Sequence, residues 1–460
     1  MSDGRRQQRL AEPVTLRLHV RLDEVFPPVW RRIEVASDLG LDDLHEVLQV
    51  VFDWEDAHLH RFTTGPQLDP GQAFVAGFDL LEVWDDEEPG TPEWEVRVDE
   101  LLTAPGERLH YQYDYGDNWW LTLELEDVAP DGVPAGRAVC LEGAGAAPPE
   151  DCGGTPGYEL LVGAVDRSHP DHRARRVEFA RMYGAEVDPA SFGLQPFDVG
   201  RVNDGLDRLD LESRPATPAA VGAALTTLLI RARTPETHLR LRAMAASADQ
   251  PVEIDRATAT AMTHAYRWLL DRLGDDGVKL TAAGYLPPTL VKEAFEELGL
   301  ADEWIGAGNR EDLTVPVLEL RESAQRLGLL REYRGRLLPT VRGRALADDP
   351  IGLWRHVASR LPIGGRSEAD AEWQAGTLLL GTLATGTADD ADAIIASCLS
   401  DLGWQQGDGD PIDRLTVVGL IRGDVQVLRR LGALTTDGPW PGQATAGSIT
   451  LARFALGTHR

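Results

Sequence analysis

The stretch VTLRLHVRL, residues 14–22, decides the fold of the first part of this 460-residue chain. Valine or leucine occupies every second position from Val14 to Leu22, and threonine, arginine and histidine occupy the positions between them. Successive side chains of a strand point to opposite faces. The stretch therefore predicts a β-strand with one face in a core and the other face in water.

The residues that follow extend this pattern into a domain. The same alternation predicts three further strands, at Val29–Val35, Trp94–Val98 and Trp119–Leu125. Helical spacing of apolar residues predicts three helices, at 41–52, Tyr158–Val165 and Asp171–Tyr183. Strands with one early helix and two late ones indicate an α+β domain, a mixed or antiparallel sheet with packed helices. We assign it to residues 13–198, after a disordered tail at 1–12.

After residue 198 helical spacing replaces alternation. We expect a helical connector at 199–275. Pro288, Thr314 and Thr340 are suited to begin three helices, and two short strands, 329–333 and 336–339, precede the last of them. Two helices, a hairpin and a helix form the order of a winged helix-turn-helix. We predict a winged-helix-like domain at 276–360 and, from a weak repeat of the Leu-Gly-x-Leu stretch, a second, degenerate one at 371–460.

Composition limits the class of protein. The chain is 43% hydrophobic and has a formal net charge of −30, which disfavours non-specific nucleic-acid binding by the chain as a whole. Cys140, Cys152 and Cys398 are too few for a disulfide scaffold and favour a reduced compartment. Without an 18-residue apolar run or an apolar stretch near Met1, we expect no membrane span, no signal peptide and a cytoplasmic location.

Three motifs carry a family resemblance. They are PVWRR at 28–32, Leu44-His45 leading to HLHRF at 58–62, and YDYGDNW at 113–119, continued by CLEG at 140–143 and PPEDCGG at 148–154. Together they resemble the plasmid pRiA4b ORF-3-like family over roughly residues 14–190. The resemblance implies an α+β fold and an association with mobile elements, and it implies no established activity. The family often has a histidine two residues after the last tryptophan of these motifs, where this chain has Leu121.

These motifs also supply a candidate functional cluster. Its members are Trp30, Arg31, His45, His58, His60, Asp114, Asp117 and Trp119. On a strand, His58 and His60 would share a face and could bind one metal ion, and thiolates of Cys140 and Cys152 would suit zinc. No CxxC or HExxH spacing is present, so hydrogen-bonded histidines and buried thiols are the alternative, and we predict no cofactor.

Carboxylates form a second candidate feature. Asp114, Asp117, Glu150 and Asp151 lie in or beside the motifs and could act as paired acids and bases. Turn formation is the alternative, because Asp and Asn are favoured in tight turns. The resolvase label used for some relatives finds no support, since Ser2 and Ser37 lack the arginine-framed setting of a recombinase nucleophile.

A basic segment stands out against the acidic chain. Residues 321–360 contain nine arginines against four acidic residues. Five arginines fall on the predicted recognition helix and wing: Arg321, Arg326, Arg331, Arg334 and Arg336. In a winged helix such surfaces contact DNA. A solvated arginine-rich face, or a surface for a protein partner, is the alternative.

The leading functional hypothesis is a non-enzymatic binding or regulatory protein that contacts a protein partner or DNA through its C-terminal half. The alternative is a metal- or carboxylate-dependent enzyme centred on His58, His60, Asp117, Cys140 and Cys152. The sequence leaves the ligand and the oligomeric state open.

Overall fold

The computed structural model describes residues 6–77, 90–129, 132–302, 304–365, 367–387, 390–407, 409–435 and 441–457. The chain divides after Ala219 into two compact units. The first unit is a mixed sheet with helices and the second is mainly helical. This architecture confirms the predicted fold class. Residues 1–5 of the predicted tail lie outside the described residues.

The first unit is built on one sheet. Its strands are β1 Thr15–Leu22, β2 Trp30–Ala36, β3 His60–Thr63, β4 Ala73–Val75, β5 Thr91–Pro92, β6 Arg108–Tyr113, β7 Trp119–Ala129 and β8 Ala138–Ala144. They lie in the order β5-β4-β3-β6-β7-β1-β2-β8. Neighbouring strands are antiparallel except β4 and β5, which are parallel.

The alternation in β1 sets the two faces of this sheet. Leu18 is paired with Ile33 of β2 and with Leu125 of β7, and all three side chains are fully buried. The intervening Arg17 lies on the other face, where it forms an ion pair with Glu34. One face therefore belongs to the core and the other is polar, as the sequence predicts.

Four helices accompany the sheet in this unit: α1 Leu41–Val51, α2 Gly154–Val165, α3 His172–Tyr183 and α4 Val199–Asp207. Helix α4 packs against α1 and β8. On α4, the Asn203 side chain accepts a hydrogen bond from the Cys140 amide and donates one to its carbonyl, at 2.8 and 3.0 Å. The first part of the predicted connector is thus packed onto the α+β domain.

The predicted strand at Trp94–Val98 is wrong. Two 3-10 turns, Glu93–Glu95 and Val98–Glu100, occupy this segment. Trp94, Val96 and Val98 are all fully buried, but the backbone bonds the loop that leads into α1 instead of a strand, since the Val98 amide donates to Leu39. Alternating burial can thus arise without a strand.

Part of the predicted tail is attached to the domain. Arg6 and Arg9 both form ion pairs with Glu100, at 2.7 and 2.9 Å, and both donate to the carbonyl of Glu95. Residues 6–12 are therefore held by contacts, although they form no helix or strand.

The second unit has a small antiparallel sheet in the order β10-β11-β9, formed by β9 Val278–Lys279, β10 Leu330–Tyr333 and β11 Arg336–Pro339. Its described helices are α5 Ala223–Leu229, α6 Pro235–Ala248, α7 Arg256–Met262, α8 His264–Leu273, α9 Pro288–Glu297, α10 Val315–Arg326, α11 Val341–Leu346, α12 Pro350–Ala358, α13 Ala371–Thr385, α14 Ala391–Asp401, α15 Arg414–Leu420, α16 Arg422–Arg430 and α17 Ala446–Leu456.

The helix starts predicted for this unit are confirmed. Helix α9 begins at Pro288, α10 follows Thr314, and the Thr340 hydroxyl accepts a hydrogen bond from the Gly343 amide at the start of α11. The hairpin at Arg334-Gly335 is also present. Assignment of the segments 276–360 and 371–460 as winged-helix-like domains stays a prediction.

Helix α13 forms the centre of the second unit. It packs against α6, α14 and α17, and 11 of its 15 residues are buried. At 15 residues it is the longest helix of the described chain, and no described helix is both long and apolar enough to cross a bilayer.

Candidate functional site

Two polar clusters lie at the α1, β3 and β6 end of the sheet in the first unit. We call the first the histidine pair, consisting of His45, His60, Asp56, Glu93 and Tyr111. We call the second the carboxylate cluster, consisting of His58, Asp114, Glu150 and Asp151. Each contains three residues whose donor atoms lie within 4.8 Å of one another: His45, Asp56 and His60 in the first, and His58, Asp114 and Glu150 in the second.

Helix α1 and strand β3 position the histidine pair. The rings of His45 and His60 stack with their centroids 3.5 Å apart and their planes 6° from parallel. Each ring has its own carboxylate, since His45 Nε2 lies 2.9 Å from Asp56 Oδ1 and His60 Nε2 lies 2.9 Å from Glu93 Oε2. The second nitrogen of His45 lies 2.7 Å from the hydroxyl of Tyr111.

Burial controls the electrostatics of this pair. Desolvation lowers the pKa of His45, and the positive charge that His60 could acquire lowers it further. Burial also raises the pKa of Tyr111 well above its ordinary value. The pKa of Asp56 is lowered, because the hydrogen bond and charge of His45 outweigh the opposing effect of burial. Both nitrogens of His45 are engaged, so the histidine pair is best explained as a buried hydrogen-bond network.

The carboxylate cluster is arranged differently. His58 Nε2 lies 3.6 Å from Asp114 Oδ2, 3.5 Å from Glu150 Oε2 and 3.5 Å from Asp151 Oδ1. These distances are longer than a hydrogen bond. Both His58 Nε2 and Glu150 Oε2 are buried and lack a hydrogen-bond partner. His58 Nε2 and the oxygens of Asp114 and Glu150 thus lie close together without hydrogen-bonding one another, and the exposed Asp151 approaches the same imidazole from the solvent side.

In Asp114 and Glu150, the carboxylate oxygen that does not face His58 accepts two hydrogen bonds. Oδ1 of Asp114 accepts hydrogen bonds from the amides of Gly116 and Asp117, at 2.8 and 3.1 Å. Oε1 of Glu150 accepts from the Tyr113 hydroxyl and the Glu55 amide, both at 2.9 Å. These bonds fix each carboxylate so that its second oxygen points into the cluster, which is how residues behind a metal site orient its ligands.

Two aspartates of the carboxylate cluster have an unusual backbone conformation. Asp114 and Asp151 have φ values of 54° and 55°, in the left-handed region that residues other than glycine seldom adopt. Such conformations cost of order 1–3 kcal/mol and concentrate at functional sites. Here they turn two carboxylates toward the same imidazole.

The predicted pairing of His58 with His60 on one face is wrong. Strand β3 begins only at His60, so the alternation of a strand does not extend back to His58. The two imidazoles therefore belong to different clusters, His60 to the histidine pair and His58 to the carboxylate cluster.

The other predicted site residues are dispersed. Asp117 accepts a hydrogen bond from the Gly153 amide beside the start of α2. Trp119 is buried and packs edge-to-face on Tyr158. Trp30 stacks on His19 on the polar face of the sheet. Arg31 is buried and lines a cleft described below.

The cysteines lie outside both clusters. Cys140 and Cys152 are buried in the hydrophobic core, and neither belongs to the metal-sized groups of the described residues. Burial raises the pKa of Cys140 to about 11 and that of Cys152 to about 12. All three cysteines are buried free thiols.

The arginines of the basic segment separate into two kinds. Arg321 is buried in ion-pair contact with Glu311 at 2.7 Å, which removes it from any surface that could meet a ligand. Arg336 donates to the carbonyls of Asp276 and Gly277. The remaining three are exposed: Arg326, Arg331 and Arg334.

Sequence reasoning missed several residues of the histidine pair. Asp56 precedes His58 and His60 at the same two-residue interval, and this spacing could have revealed it. Tyr111 lies on a strand whose alternate residues are all apolar or aromatic, and this pattern predicts core residues and not a polar site. Glu93 reaches His60 across 33 positions, and no sequence signal points to it.

Comparison with known proteins identifies a family, a relative and a solved structure to which this chain is similar. The model of the family described as plasmid pRiA4b ORF-3-like protein matches residues 14–196. The uncharacterised protein y4hQ of Sinorhizobium fredii (strain NBRC 101917 / NGR234) is 35% identical over 162 residues, which cover 34% of this chain and 76% of the relative. The crystal structure of a protein of unknown function, MM3350 from Methanosarcina mazei Go1, is 28% identical, covers 41% of this chain and 98% of its own, and gives a TM-score of 0.30.

Proposed function

This chain belongs to the plasmid pRiA4b ORF-3-like family through residues 14–196, and we propose that this domain binds a divalent transition-metal ion, zinc fitting best, in the carboxylate cluster. The observation that supports it is the convergence of unpartnered donor atoms around His58 Nε2. The proposal follows the metal-dependent alternative of the sequence analysis but with a different set of ligands.

The spacing of the donors fits a tetrahedral ion. Ligand atoms at about 2.0–2.2 Å from zinc are about 3.4 Å apart along the edges of a tetrahedron. The distances from His58 Nε2 to Asp114 Oδ2 and Glu150 Oε2 are 3.6 and 3.5 Å, and the donor atoms of these three residues all lie within 4.8 Å of one another. A hydrogen-bonded cluster would instead bring the same atoms to about 2.7–3.0 Å.

Charge favours the same conclusion. Asp114, Glu150 and Asp151 surround a single imidazole, and the side chains of Asp114 and Glu150 are only 8% and 17% exposed. Like charges in a partly desolvated site repel one another unless a cation compensates them. A divalent ion would offset the repulsion between the carboxylates. It would also bind the two atoms that lack a hydrogen-bond partner, His58 Nε2 and Glu150 Oε2.

Donor chemistry selects the kind of ion. An imidazole nitrogen with carboxylate oxygens suits zinc and its first-row neighbours better than calcium or magnesium, which prefer oxygen alone. The Asp151 side chain is 82% exposed, so the side of the cluster that it occupies is open to solvent. When bound, such an ion could polarise an oxyanion or acidify a water molecule.

The test is the metal content of the full chain. Protein stripped with EDTA and dialysed against zinc should retain about one equivalent by plasma mass spectrometry, because three protein ligands hold the ion. His58→Ala should lose it, and Tyr113→Phe should bind about tenfold more weakly, since it removes the bond that orients Glu150. His264→Ala, an exposed histidine outside the cluster, is the matched control.

Two results would contradict the metal proposal. One is wild-type protein that stays metal-free in zinc, manganese and iron(II) alike. The other is a His58→Ala variant that retains the wild-type stoichiometry and affinity. Circular dichroism of each variant separates loss of metal from loss of fold.

A second candidate function concerns the hairpin of the second unit. Tyr333 is 51% exposed and lies between two exposed arginines, with Arg334 and Arg331 at 5.0 and 5.8 Å from its ring centre. This basic and aromatic tip supports the DNA contact expected from the sequence, in a cytoplasmic regulatory protein that could accompany mobile elements. Tyrosine and arginine also suit a protein partner.

Fluorescence anisotropy over several salt concentrations tests this candidate. Replacing Arg331 and Arg334 by Gln should weaken DNA binding and flatten its salt dependence by roughly one unit per lost phosphate contact. Arg321→Gln cannot serve as a control, because this arginine is buried. Wild-type protein that does not bind DNA at low salt would exclude the DNA contact and leave a protein partner as the default.

A further inference from the structure

Arg31 of the PVWRR motif is a buried cation with an unusual set of partners. Only 2% of this residue is exposed. Its Nε donates to the carbonyl of Val51, and its Nη1 donates to the carbonyls of Trp30, Ala144 and Gly145. These bonds tie β2, α1 and β8 together.

No carboxylate of the described chain forms an ion pair with this arginine, and the charge of Asp53 acts on it only from a greater distance. Within the described residues, none lies within ion-pair distance of the guanidinium, and no hydrogen-bond acceptor meets its Nη2 atom. The rings of Phe52 and Phe197 lie 5.1 and 4.4 Å from its central carbon. Desolvation, aided by the like charge of Arg201, lowers the pKa of Arg31 to about 10, although Cys140, Tyr158 and Asp53 act in the opposite direction. A cation buried in this way is costly unless an anion approaches it.

Two glycines, at the end of β8 and just after it, leave room for this arrangement. A side chain at Gly143 would come within 2.7 Å of the Trp30 carbonyl and 2.9 Å of the Arg31 side chain. Gly145 has φ +81°, and a side chain there would meet the Pro28 carbonyl at 2.7 Å. The glycine of the CLEG motif is therefore explained by the close approach of its backbone to β2 and Arg31.

Arg31 opens onto a cleft. The cleft has a volume of about 910 Å³, which is within the range of small-molecule sites. Its aromatic lining comes from Phe52, Trp54, Phe192 and Phe197. Three arginines and three carboxylates also line it, but Asp53 already faces Arg201 at 3.7 Å and Glu150 belongs to the carboxylate cluster.

We propose that this cleft, the Arg31 cleft, binds a small organic anion, a carboxylate or phosphate group on an apolar body. The anionic group would accept hydrogen bonds from Nη2 of Arg31, the donor that the protein leaves unused. The apolar body would lie against the aromatic lining. Guanidinium groups suit this task because their planar donors match carboxylate and phosphate oxygens. The inference does not require the metal proposal, since Arg31 is not a ligand of the carboxylate cluster, although Glu150 borders both sites.

Isothermal titration calorimetry of the full chain at low salt tests the proposal. Phenyl phosphate and benzoate are the probes, benzamide is the neutral counterpart, and EDTA in every buffer removes any contribution of metal. We expect saturable binding of at least one anion below about 10 mM and none of benzamide. The stronger of the two anions identifies the group that the cleft prefers.

Variants locate the binding. Arg31→Gln should weaken the preferred anion about tenfold or more, because a charge-assisted hydrogen bond is lost in a desolvated site. Arg173→Gln, an exposed arginine of α3 outside the cleft, should leave affinity unchanged. If Arg31→Gln does not fold, Arg201→Glu at the partly exposed rim of the cleft provides the test. This variant should weaken binding of the anion several-fold.

Three outcomes overturn the proposal. The first is the absence of saturable binding of either anion to wild-type protein. The second is benzamide binding as tightly as benzoate, which would make the cleft a site for apolar molecules. The third is unchanged affinity in the folded Arg31→Gln variant or, where that variant does not fold, in Arg201→Glu.

Discussion

Mild acid should destabilise the first unit through His45, and the size of the effect follows from its surroundings. His45 is 5% exposed, and its ring lies 3.5 Å from that of His60. Burial lowers the pKa of His45 in the folded state. In the unfolded chain a histidine titrates near pH 6.5. The unfolded state therefore binds more protons than the folded state as the pH falls through about 6.5, and acid favours unfolding.

The magnitude has an upper limit. One proton taken up on unfolding changes the free energy of unfolding by about 1.4 kcal/mol per pH unit. Integrated from pH 6.5 to pH 5 for a folded His45 that stays neutral, the loss is about 1.6 kcal/mol. Asp56, whose pKa is lowered from 3.8, remains charged over this range and contributes no slope.

Urea denaturation of the full chain measures this loss. The free energy of unfolding would be followed by circular dichroism and tryptophan fluorescence between pH 5 and 7, in wild-type protein and in His45→Gln. The pKa values of His110 and His356 are also lowered by burial, so both proteins retain a residual slope and the difference between them isolates His45. His264→Gln, an exposed histidine, serves as the control.

The comparison concerns slopes and not absolute stability, because His45→Gln also removes a ring from the stack. The variant should lose less stability than wild-type protein between pH 6.5 and 5. Identical slopes in the two proteins would refute the reasoning, as would a wild-type protein that becomes more stable in acid over this range.

The remaining predictions concern stability and thiol reactivity. Glu311→Gln should cost about 3 kcal/mol of unfolding free energy in urea melts, because it leaves the buried Arg321 without its ion-pair partner; Asp312→Asn, in a partly exposed pair, should change it by less than about 0.5 kcal/mol, and equal losses would contradict this. Gly419→Ala should stabilise the chain by about 0.5–1 kcal/mol, because a Cβ in this helix meets no atom within 4 Å, and a lower melting temperature would count against it. The three buried thiols should react with Ellman's reagent only slowly until the protein is unfolded, and rapid labelling of native protein would show that they are accessible.

Sequence patterns correctly predicted the elements that depend on interactions between residues close together in the chain. The alternation at 14–22 gave β1 and its buried face, because a strand imposes a period of two on burial. Thr340 gave the start of α11, since its hydroxyl satisfies an amide three residues later. The hairpin at Arg334-Gly335 followed from the turn residues alone.

The same rules failed where burial came from distant parts of the chain. Trp94–Val98 alternates in hydrophobicity, yet it forms 3-10 turns because its backbone bonds the loop before α1. Arg321 looked like a surface residue on an amphipathic helix, but Glu311 pairs with it inside the unit. A helical period identifies a face and does not reveal a buried countercharge.

The sequence by itself thus determined the family and the fold class, because these depend on motifs and on patterns within single elements. Only the tertiary structure decided how the motifs combine. It separated His58 from His60, joined His58 to Asp114 and Glu150 from distant segments, and buried Arg31 without an ion-pair partner among the described residues. The physical reason is that a site requires atoms within a few ångströms in space, and separation along the chain does not encode that proximity.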